Sequence, residues 1–284
     1  YELYVNDSLV VNNMPASQTN CTLILSEGVY NISVKAIDSF GNIGKDTVII
    51  FVDTTQPTLV ILSPQDDSLL NMSTIIVTWS GNDIFLGIDH YEIYVDGTLI
   101  NANISASQTS YTLTLAEGVH AITVKAIDKA GNVAKSTIEV TVDTMPPSIS
   151  ISSPQNGEAL ASTIVVVEWS GYDELSGIDH YEIYVDEDLV DGNISASQTN
   201  YTLILTEGTH IITVKAIDRA GNTALDTIKI SIHREVETTS PMETQNLISA
   251  LFLTLLIGLI LMPMVLLLRF SSRVSLDYRF DFDE

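Results

Sequence analysis

A phrase of nine residues occurs three times in this chain at a constant spacing. It reads VKAIDSFGN at 34–42, VKAIDKAGN at 124–132 and VKAIDRAGN at 214–222, so each copy begins 90 residues after the previous one. Trp79 returns as Trp169 with the same step. A period of this length is too long for one unit of a solenoid and suits a small independent domain. The chain is therefore predicted to be a tandem array of domains.

The period divides the chain into segments. Residues 1–5 (YELYV) align with residues 91–95 (YEIYV), so we expect the chain to begin partway through a repeat, as the C-terminal piece of a longer protein. The predicted segments are a partial repeat over 1–53, complete repeats over 54–143 and 144–233, a stalk linker over 234–246, a transmembrane helix over 247–268 and a cytoplasmic tail over 269–284. The partial repeat lacks the first two strands and their tryptophan, so we expect it to expose an apolar face and to be poorly stable by itself.

Apolar and polar residues alternate along the repeat at 54–143. Tyr91, Ile93 and Val95, for example, alternate with polar or amphipathic neighbours. A period of two, with many β-branched and aromatic residues, predicts half-buried antiparallel strands. About seven short strands in a domain of this size are typical of an immunoglobulin-like β-sandwich. The predicted fold class is all-β: tandem sandwich repeats followed by one C-terminal transmembrane helix.

The residues also carry a family resemblance. YTLTLAEGVHAITVKAIDKAGN (111–132), with Trp79 in the second strand and Tyr91 in the third, resembles a fibronectin type III domain. The chain is also similar to the bacterial and archaeal Ig-like repeats of surface proteins, which often open with a phrase like DTMPP at 143–147. Fibronectin-like domains place a tyrosine two residues after a glycine at one corner, where this chain has Tyr30, His120 and His210.

The VKAID phrase is predicted to end in a hairpin. Asp128 can accept hydrogen bonds from backbone amides in an Asx turn, and Gly131 supplies a left-handed residue. The alternative is calcium, since Asp128, Asn132 and a junction aspartate such as Asp143 offer oxygen ligands. A second acidic group in the third repeat offers the best place for calcium, with a solvated surface as the competing interpretation: Asp186, Glu187, Asp188 and Asp191.

No catalytic motif is recognisable in the repeats. His90 and His180 lack the convergent ligands that a zinc or catalytic site needs, so we predict that they are surface or edge residues and that the chain is not an enzyme and holds no cofactor. The formal charge of −24 argues against a nucleic-acid partner. The single cysteine, Cys21, is predicted to be a buried strand residue.

Residues 247–268 (LISALFLTLLIGLILMPMVLLL) contain no charge. A helix of this length spans about 33 Å, enough for a bilayer core of about 30 Å. Arg269, Arg273 and Arg279 follow the segment, whereas acidic residues precede it. The positive-inside rule therefore predicts a single-pass protein of the cell membrane with extracellular repeats and a cytoplasmic C-terminus.

The predicted function is a non-catalytic cell-surface stalk or adhesion module that belongs to a larger protein and is anchored in the lipid bilayer. Its ectodomain would display or bind protein or glycan ligands, one option using exposed Tyr94 and Tyr184. The alternative is the membrane-anchoring region of an extracellular enzyme whose catalytic domain lies upstream. Seven N-x-S/T sequons predict surface glycosylation, at Asn6, Asn20, Asn31, Asn71, Asn103, Asn193 and Asn200.

Overall fold

A computed structural model describes residues 1–233, and every regular element in this range is a β-strand. The first repeat contains β1 (Glu2–Val5), β2 (Ser8–Val11), β3 (Gly28–Ile37) and β4 (Ile43–Val52). The second contains β5 (Thr58–Ser63), β6 (Ser68–Leu70), β7 (Thr74–Asn82), β8 (Ile88–Val95), β9 (Thr98–Ser105), β10 (Ser110–Thr114), β11 (Gly118–Asp128) and β12 (Val133–Val142). The third contains β13 (Ser148–Ser153), β14 (Ala159–Leu160), β15 (Ile164–Tyr172), β16 (Ile178–Val185), β17 (Asp188–Ser195), β18 (Asn200–Ile204), β19 (Gly208–Asp218) and β20 (Thr223–Ile232).

Each of the second and third repeats is a sandwich of two sheets. In the second repeat a three-stranded sheet of order β10-β7-β5 faces a five-stranded sheet of order β6-β12-β11-β8-β9, and the third repeat reproduces both orders. The pairs are antiparallel except that β6 runs parallel to β12 and, in the third repeat, β14 runs parallel to β20. The short parallel strand β6 brings the count in the second repeat to eight, one more than the alternating pattern predicts. The prediction of an all-β fold built from sandwich repeats is confirmed for the described residues.

The core of each sandwich follows the period-two pattern. In β11, the side chains of Ile122, Val124 and Ala126 are fully buried, and the residues between them face outward. Trp79 packs edge-on against Tyr91, with 5.4 Å between ring centroids. Edge-to-face packing of this kind adds to the stabilisation from burial alone. The tryptophan and tyrosine that the sequence singles out are thus the largest side chains of the core.

Histidines replace the corner tyrosine in the two complete sandwiches. In the first repeat, the Tyr30 hydroxyl donates to the carbonyl oxygen of Ser26 at 2.9 Å. His120 Nε2 makes the equivalent bond to Ala116 O at 3.0 Å, and its Nδ1 lies 2.8 Å from Asp96 Oδ2. His210 repeats both contacts in the third repeat. Histidine therefore keeps the corner bond and adds a carboxylate partner that tyrosine lacks.

These histidines give the sandwiches a pH-dependent contact. Burial lowers the pKa of His120, but its hydrogen bonds to Asp96 and Ala116 O outweigh burial and raise it. The bond to Asp186 similarly raises the pKa of His210. The hydrogen bond from His120 lowers the pKa of Asp96.

The sign of the pH effect follows from these shifts. A raised histidine pKa stabilises the fold below the unfolded value of about 6.5, and this stabilisation disappears as the pH rises through the folded pKa. A lowered aspartate pKa stabilises the fold above about 3.9 and is lost in acid. The contact therefore contributes most between these values, by about 0.5 kcal/mol because Asp96 is half exposed.

We expect the double variant His120→Tyr and His210→Tyr to lose this pH dependence. Tyrosine makes the corner bond without titrating near neutral pH, as Tyr30 does in the first repeat. Urea unfolding at several values from pH 5 to pH 8 measures the effect as the difference between wild type and variant. A difference that does not change across this range would contradict the assignment.

The first repeat is a single sheet of order β2-β1-β3-β4 without a facing sheet in the described part of this chain. Val34 is 38% exposed, whereas its equivalents Val124 and Val214 are fully buried. The apolar face expected from the missing first strands and tryptophan is thereby confirmed. The low stability that we expect for this repeat stays a prediction.

The prediction that Cys21 is buried is wrong, because the side chain is exposed. Its equivalent Tyr111 lies on β10, which pairs with β7 and packs against the core of the second repeat. The first repeat has no strand equivalent to β7, so the segment around Cys21 has no sheet to join.

Residues 1–233 contain no helix of the length and hydropathy that a membrane span requires. The predicted linker (234–246), transmembrane helix (247–268) and tail (269–284) lie outside the described residues.

Candidate cation sites at the repeat junctions

The VKAID phrase ends in the predicted hairpin between β11 and β12. The backbone amides of Ala130 and Asn132 donate to Asp128 Oδ1 at 2.8 and 2.9 Å, and Asn132 Nδ2 donates to Asp128 Oδ2 at 2.8 Å. Gly131 has a φ of 92°, a backbone conformation that glycine adopts without strain. The hairpin interpretation is confirmed, and it explains why every copy keeps Asp, Gly and Asn at these positions.

A second acidic loop lies beside this hairpin. Asp83, between β7 and β8, accepts the backbone amides of Phe85, Leu86 and Gly87 on its Oδ1. The carbonyl oxygen of Gly87 accepts a hydrogen bond from the Lys129 amide at 3.2 Å. This bond fixes the Asp83 loop against the β11–β12 hairpin, so two conformationally fixed carboxylates lie at one end of the sandwich.

The third component is the junction that precedes the repeat. Asp53 follows β4, and its Oδ1 accepts the amide of Thr55 at 3.1 Å. Its carbonyl oxygen accepts a hydrogen bond from Asn132 Nδ2 at 3.2 Å. The corresponding bond at the next boundary, from Asn222 Nδ2 to Asp143 O, is 2.7 Å long. The asparagine of the VKAID phrase thus binds its own repeat to the junction before it, a role that the sequence pattern did not reveal.

These three elements bring three carboxylates together at each junction. Asp53, Asp83 and Asp128 each place an oxygen within 4.8 Å of the others, and Asp143, Asp173 and Asp218 do the same. The two sets are offset by the 90-residue period. We call them the first and second junction clusters. Each could hold a cation with oxygen ligands.

The clusters are deeply placed and strongly negative. Asp128, Asp143 and Asp218 are at most 2% exposed, and Asp53 is 9% exposed. Burial tends to raise the pKa of Asp128, but hydrogen bonds from the Asn132 side chain and the turn amides outweigh it and hold the pKa below its ordinary value. Within residues 1–233 no lysine, arginine or histidine nitrogen lies within 4.0 Å of any of the six carboxylates.

The sequence pattern identified Asp128 and Asp143 as possible cation ligands, but the prediction that they share one site is wrong. We grouped Asp128 with Asp143, whereas the structure groups Asp128 with Asp53 and places Asp143 with Asp218. The reason is the ten-residue strand β12, which carries the chain about 34 Å away from Asn132 before it reaches Asp143. Sequence reasoning missed Asp83 and Asp173 altogether. The available signal was the phrase G-x-D-x-x-x-G, which occurs at 81–87 and again at 171–177.

The acidic group in the third repeat does not form a cluster of this kind. Asp186 and Glu187 form the β16–β17 turn with φ values of 51° and 75°. Asp186 binds His210 and the Ile211 amide, and neither Asp188 nor Asp191 belongs to either described metal-compatible group. The structure therefore favours a turn at this position.

The other candidate residues do not converge on a ligand site. His90 and His180 each contact the preceding aspartate, with 2.8 and 2.7 Å between Nδ1 and the carboxylate. Tyr94 was expected to be exposed, but it is half-buried. Its hydroxyl donates a hydrogen bond to Glu92 and lies 2.9 Å from Lys125 Nζ. The Tyr184 hydroxyl similarly donates to Glu182.

The predicted glycosylation residues are mostly accessible. Six of the seven sequon asparagines are exposed: Asn6, Asn20, Asn71, Asn103, Asn193 and Asn200. Asn31 is half-buried, and its side-chain oxygen is buried without a partner. Asn71 Nδ2 lies 3.5 Å from the position that a Cβ at Gly221 would occupy, so a glycan on Asn71 would press on the hairpin of the following repeat.

Two family models match consecutive parts of the chain. One, described as "Glucodextranase, domain B", matches residues 57–144, and one described as "Bacterial Ig domain" matches residues 147–214. Chitinase A1 from Niallia circulans is 26% identical over 200 residues, which are 67% of this chain and 28% of the relative. Exoglucanase B from Cellulomonas fimi is 26% identical over 250 residues, which are 82% of this chain and 22% of the relative. The chain thus spans less than a third of either relative.

Among solved structures, the fibronectin(III)-like modules of Clostridium thermocellum CbhA are similar, at 18% identity and a TM-score of 0.43. That match covers 62% of this chain and 95% of the solved one. The chicken CNTN1 FN1-FN3 domains match at 16% identity and a TM-score of 0.34, covering 72% and 78% of the two chains. The matches to the two family models and the two observed sandwiches show that residues 54–233 form tandem domains of the immunoglobulin-like β-sandwich type.

Proposed function

We propose that this chain is a non-catalytic stalk that holds another part of its protein away from a membrane. The observation that carries the proposal is the repeated junction, where an asparagine of one repeat donates to the backbone of the preceding junction at both boundaries. Strands of ten or eleven residues make each sandwich roughly 35 Å long. Two such units with matching junctions suit a spacer.

The anchor of this stalk is the uncharged segment 247–268, with the repeats outside the cell and the arginine-rich flank at 269–284 in the cytoplasm. The lipid bilayer is then its first partner. Adhesion would require a protein or glycan ligand of the ectodomain. The exposed sequons are consistent with a glycosylated outer surface.

A second candidate function is the anchoring and spacing region of an extracellular enzyme. The observation that favours it is the pair of relatives named as a chitinase and an exoglucanase, each of which is far longer than the matched segment. Fold alone does not carry activity, so this candidate depends on what precedes Tyr1. An upstream coding sequence with a catalytic motif would support the enzyme, and further repeats of the same period would support the stalk.

Deletion of residues 247–268 tests the anchor. We expect the repeats to move from the membrane fraction to the culture medium, because the deletion removes an uncharged and almost entirely apolar run of 22 residues, long enough to span a bilayer. Immunoblotting of both fractions measures the change. The control deletes only 274–284, keeps Arg269 and Arg273, and is expected to leave the protein in the membrane. A deletion variant that stays in the membrane fraction would overturn the anchoring proposal.

A further inference from the structure

We propose that the first junction cluster (Asp53, Asp83 and Asp128) binds a calcium ion, and that the second (Asp143, Asp173 and Asp218) is its counterpart one repeat later. The proposal goes beyond the stalk function and does not depend on it. An ion at this place would connect three chain segments at each boundary. These are the junction, the loop between β7 and β8 (or β15 and β16), and the β11–β12 (or β19–β20) hairpin.

The spacing of the oxygens fits calcium. Calcium–oxygen distances of 2.3–2.6 Å allow two ligands of one ion to be up to about 5.2 Å apart. The three oxygens of each cluster lie within 4.8 Å of one another. Magnesium demands near-ideal octahedral geometry and usually keeps several waters, so a site of three carboxylates held by three separate chain segments favours calcium. Zinc prefers nitrogen and sulfur ligands, and the clusters offer only oxygens.

An orphaned carboxylate oxygen points independently to a ligand. Asp53 Oδ2 is buried and has no hydrogen-bond partner among the described residues, in a residue that is more than nine-tenths buried. Its counterpart Asp143 Oδ2 shows where this oxygen is directed, since it accepts the Ser176 amide at 3.0 Å, within the loop that carries Asp173. By analogy with Asp143, Asp53 Oδ2 faces the Asp83 loop, but no amide of that loop donates a hydrogen bond to it. Leaving a charged oxygen buried and unpaired is costly, and a cation removes that cost.

The loop aspartates, Asp83 and Asp173, each have one carboxylate oxygen that remains available to a cation. Asp83 binds the loop amides through Oδ1 alone, and its Oδ2 accepts no hydrogen bond from the described residues. Asp173 uses its Oδ1 in the same way at the second junction. The first cluster therefore offers two carboxylate oxygens that accept no hydrogen bond from the described residues, Asp53 Oδ2 and Asp83 Oδ2, and the second offers Asp173 Oδ2. Three negative charges at this separation repel one another, and a divalent cation neutralises most of that charge.

Calorimetric melting of the whole chain tests the proposal. The scans are made at pH 7 in chelator, in millimolar calcium and in millimolar magnesium. We expect calcium to raise the melting temperature by roughly 10 °C when free calcium is about 100-fold above its dissociation constant. Titration calorimetry with calcium chloride is expected to show one ion per junction cluster.

The decisive variant is the double substitution Asp83→Asn and Asp173→Asn. Asparagine keeps an oxygen that can accept the loop amides, so the fold is expected to survive and to melt in chelator at or above the wild-type temperature. The calcium shift is expected to disappear. The matched control Asp188→Asn removes one charge from the acidic turn of the third repeat and is expected to keep the full shift.

Several results would overturn the proposal. These are wild-type melts that superimpose in calcium and chelator, a calcium shift that survives the double substitution, and a shift that Asp188→Asn abolishes. An equal shift in magnesium would overturn the assignment to calcium.

Discussion

Replacing Trp79 with alanine is expected to destabilise the second repeat by about 3–5 kcal/mol, the cost of removing a large aromatic side chain from a packed core. The ring is 2% exposed and packs against Tyr91, so its removal leaves a cavity between the two sheets. Urea unfolding followed by far-ultraviolet circular dichroism measures the loss of stability as a transition midpoint at a lower urea concentration.

The chain contains two tryptophans, one in each complete repeat, which allows a second measurement. In the Trp79→Ala variant, fluorescence reports only on Trp169. A shifted Trp169 transition would show that the two repeats unfold together. The control is Ile76→Ala on the same strand. This side chain is 60% exposed, so its removal is expected to change the free energy of unfolding by less than about 0.5 kcal/mol. Equal losses for both variants would contradict the proposed core.

Replacing Gly81 with alanine is expected to cost about 3 kcal/mol, the upper part of the range for overpacking a core. A Cβ at this position would lie 2.6 Å from Tyr91 Oη and 2.8 Å from Tyr91 Cε1. Tyr91 is 1% exposed and cannot move aside without disturbing the sandwich. Gly171 and Tyr181 reproduce this close approach, so Gly171→Ala should have the same effect in the third repeat.

Gly44→Ala is the matched control for this prediction. Gly44 also lies in a strand, but no atom lies within 4 Å of the position that a Cβ would occupy there, so the substitution is expected to be neutral or slightly stabilising. A double-mutant cycle gives the mechanism: in a Tyr91→Ala background, Gly81→Ala should cost much less than in wild type. Independent, additive losses would show that the glycine matters for another reason.

The strands and the β11–β12 hairpin could be predicted because their causes are local. Alternation of apolar and polar residues decides which face of a strand is buried, and it identified Tyr91 and Ile93 as core residues. Asp128 and Gly131 predict the turn because all the residues that form it lie within five positions of the sequence. The exposed face of the first repeat also followed from the sequence, since its facing strands are missing from the chain.

Contacts across the repeat could not be predicted in this way. Cys21 is exposed because strand pairing, not its own residue type, decides burial at that position. Histidine at 120 keeps the corner bond of Tyr30 because Ala116 O lies within reach of its Nε2, a distance that no residue pattern contains.

The sequence by itself determined that residues 54–233 form two β-sandwich repeats, where their strands run and which turn the VKAID phrase forms. Only the tertiary structure decided which aspartates meet. Asp53, Asp83 and Asp128 are far apart in the chain, and they converge because the strand order places a junction, a loop and a hairpin at one end of a sandwich. Asp143 also follows this hairpin in the sequence, but β12 lies between them and places Asp143 at the opposite end of the sandwich. There it accepts a hydrogen bond from Asn222 of the next repeat.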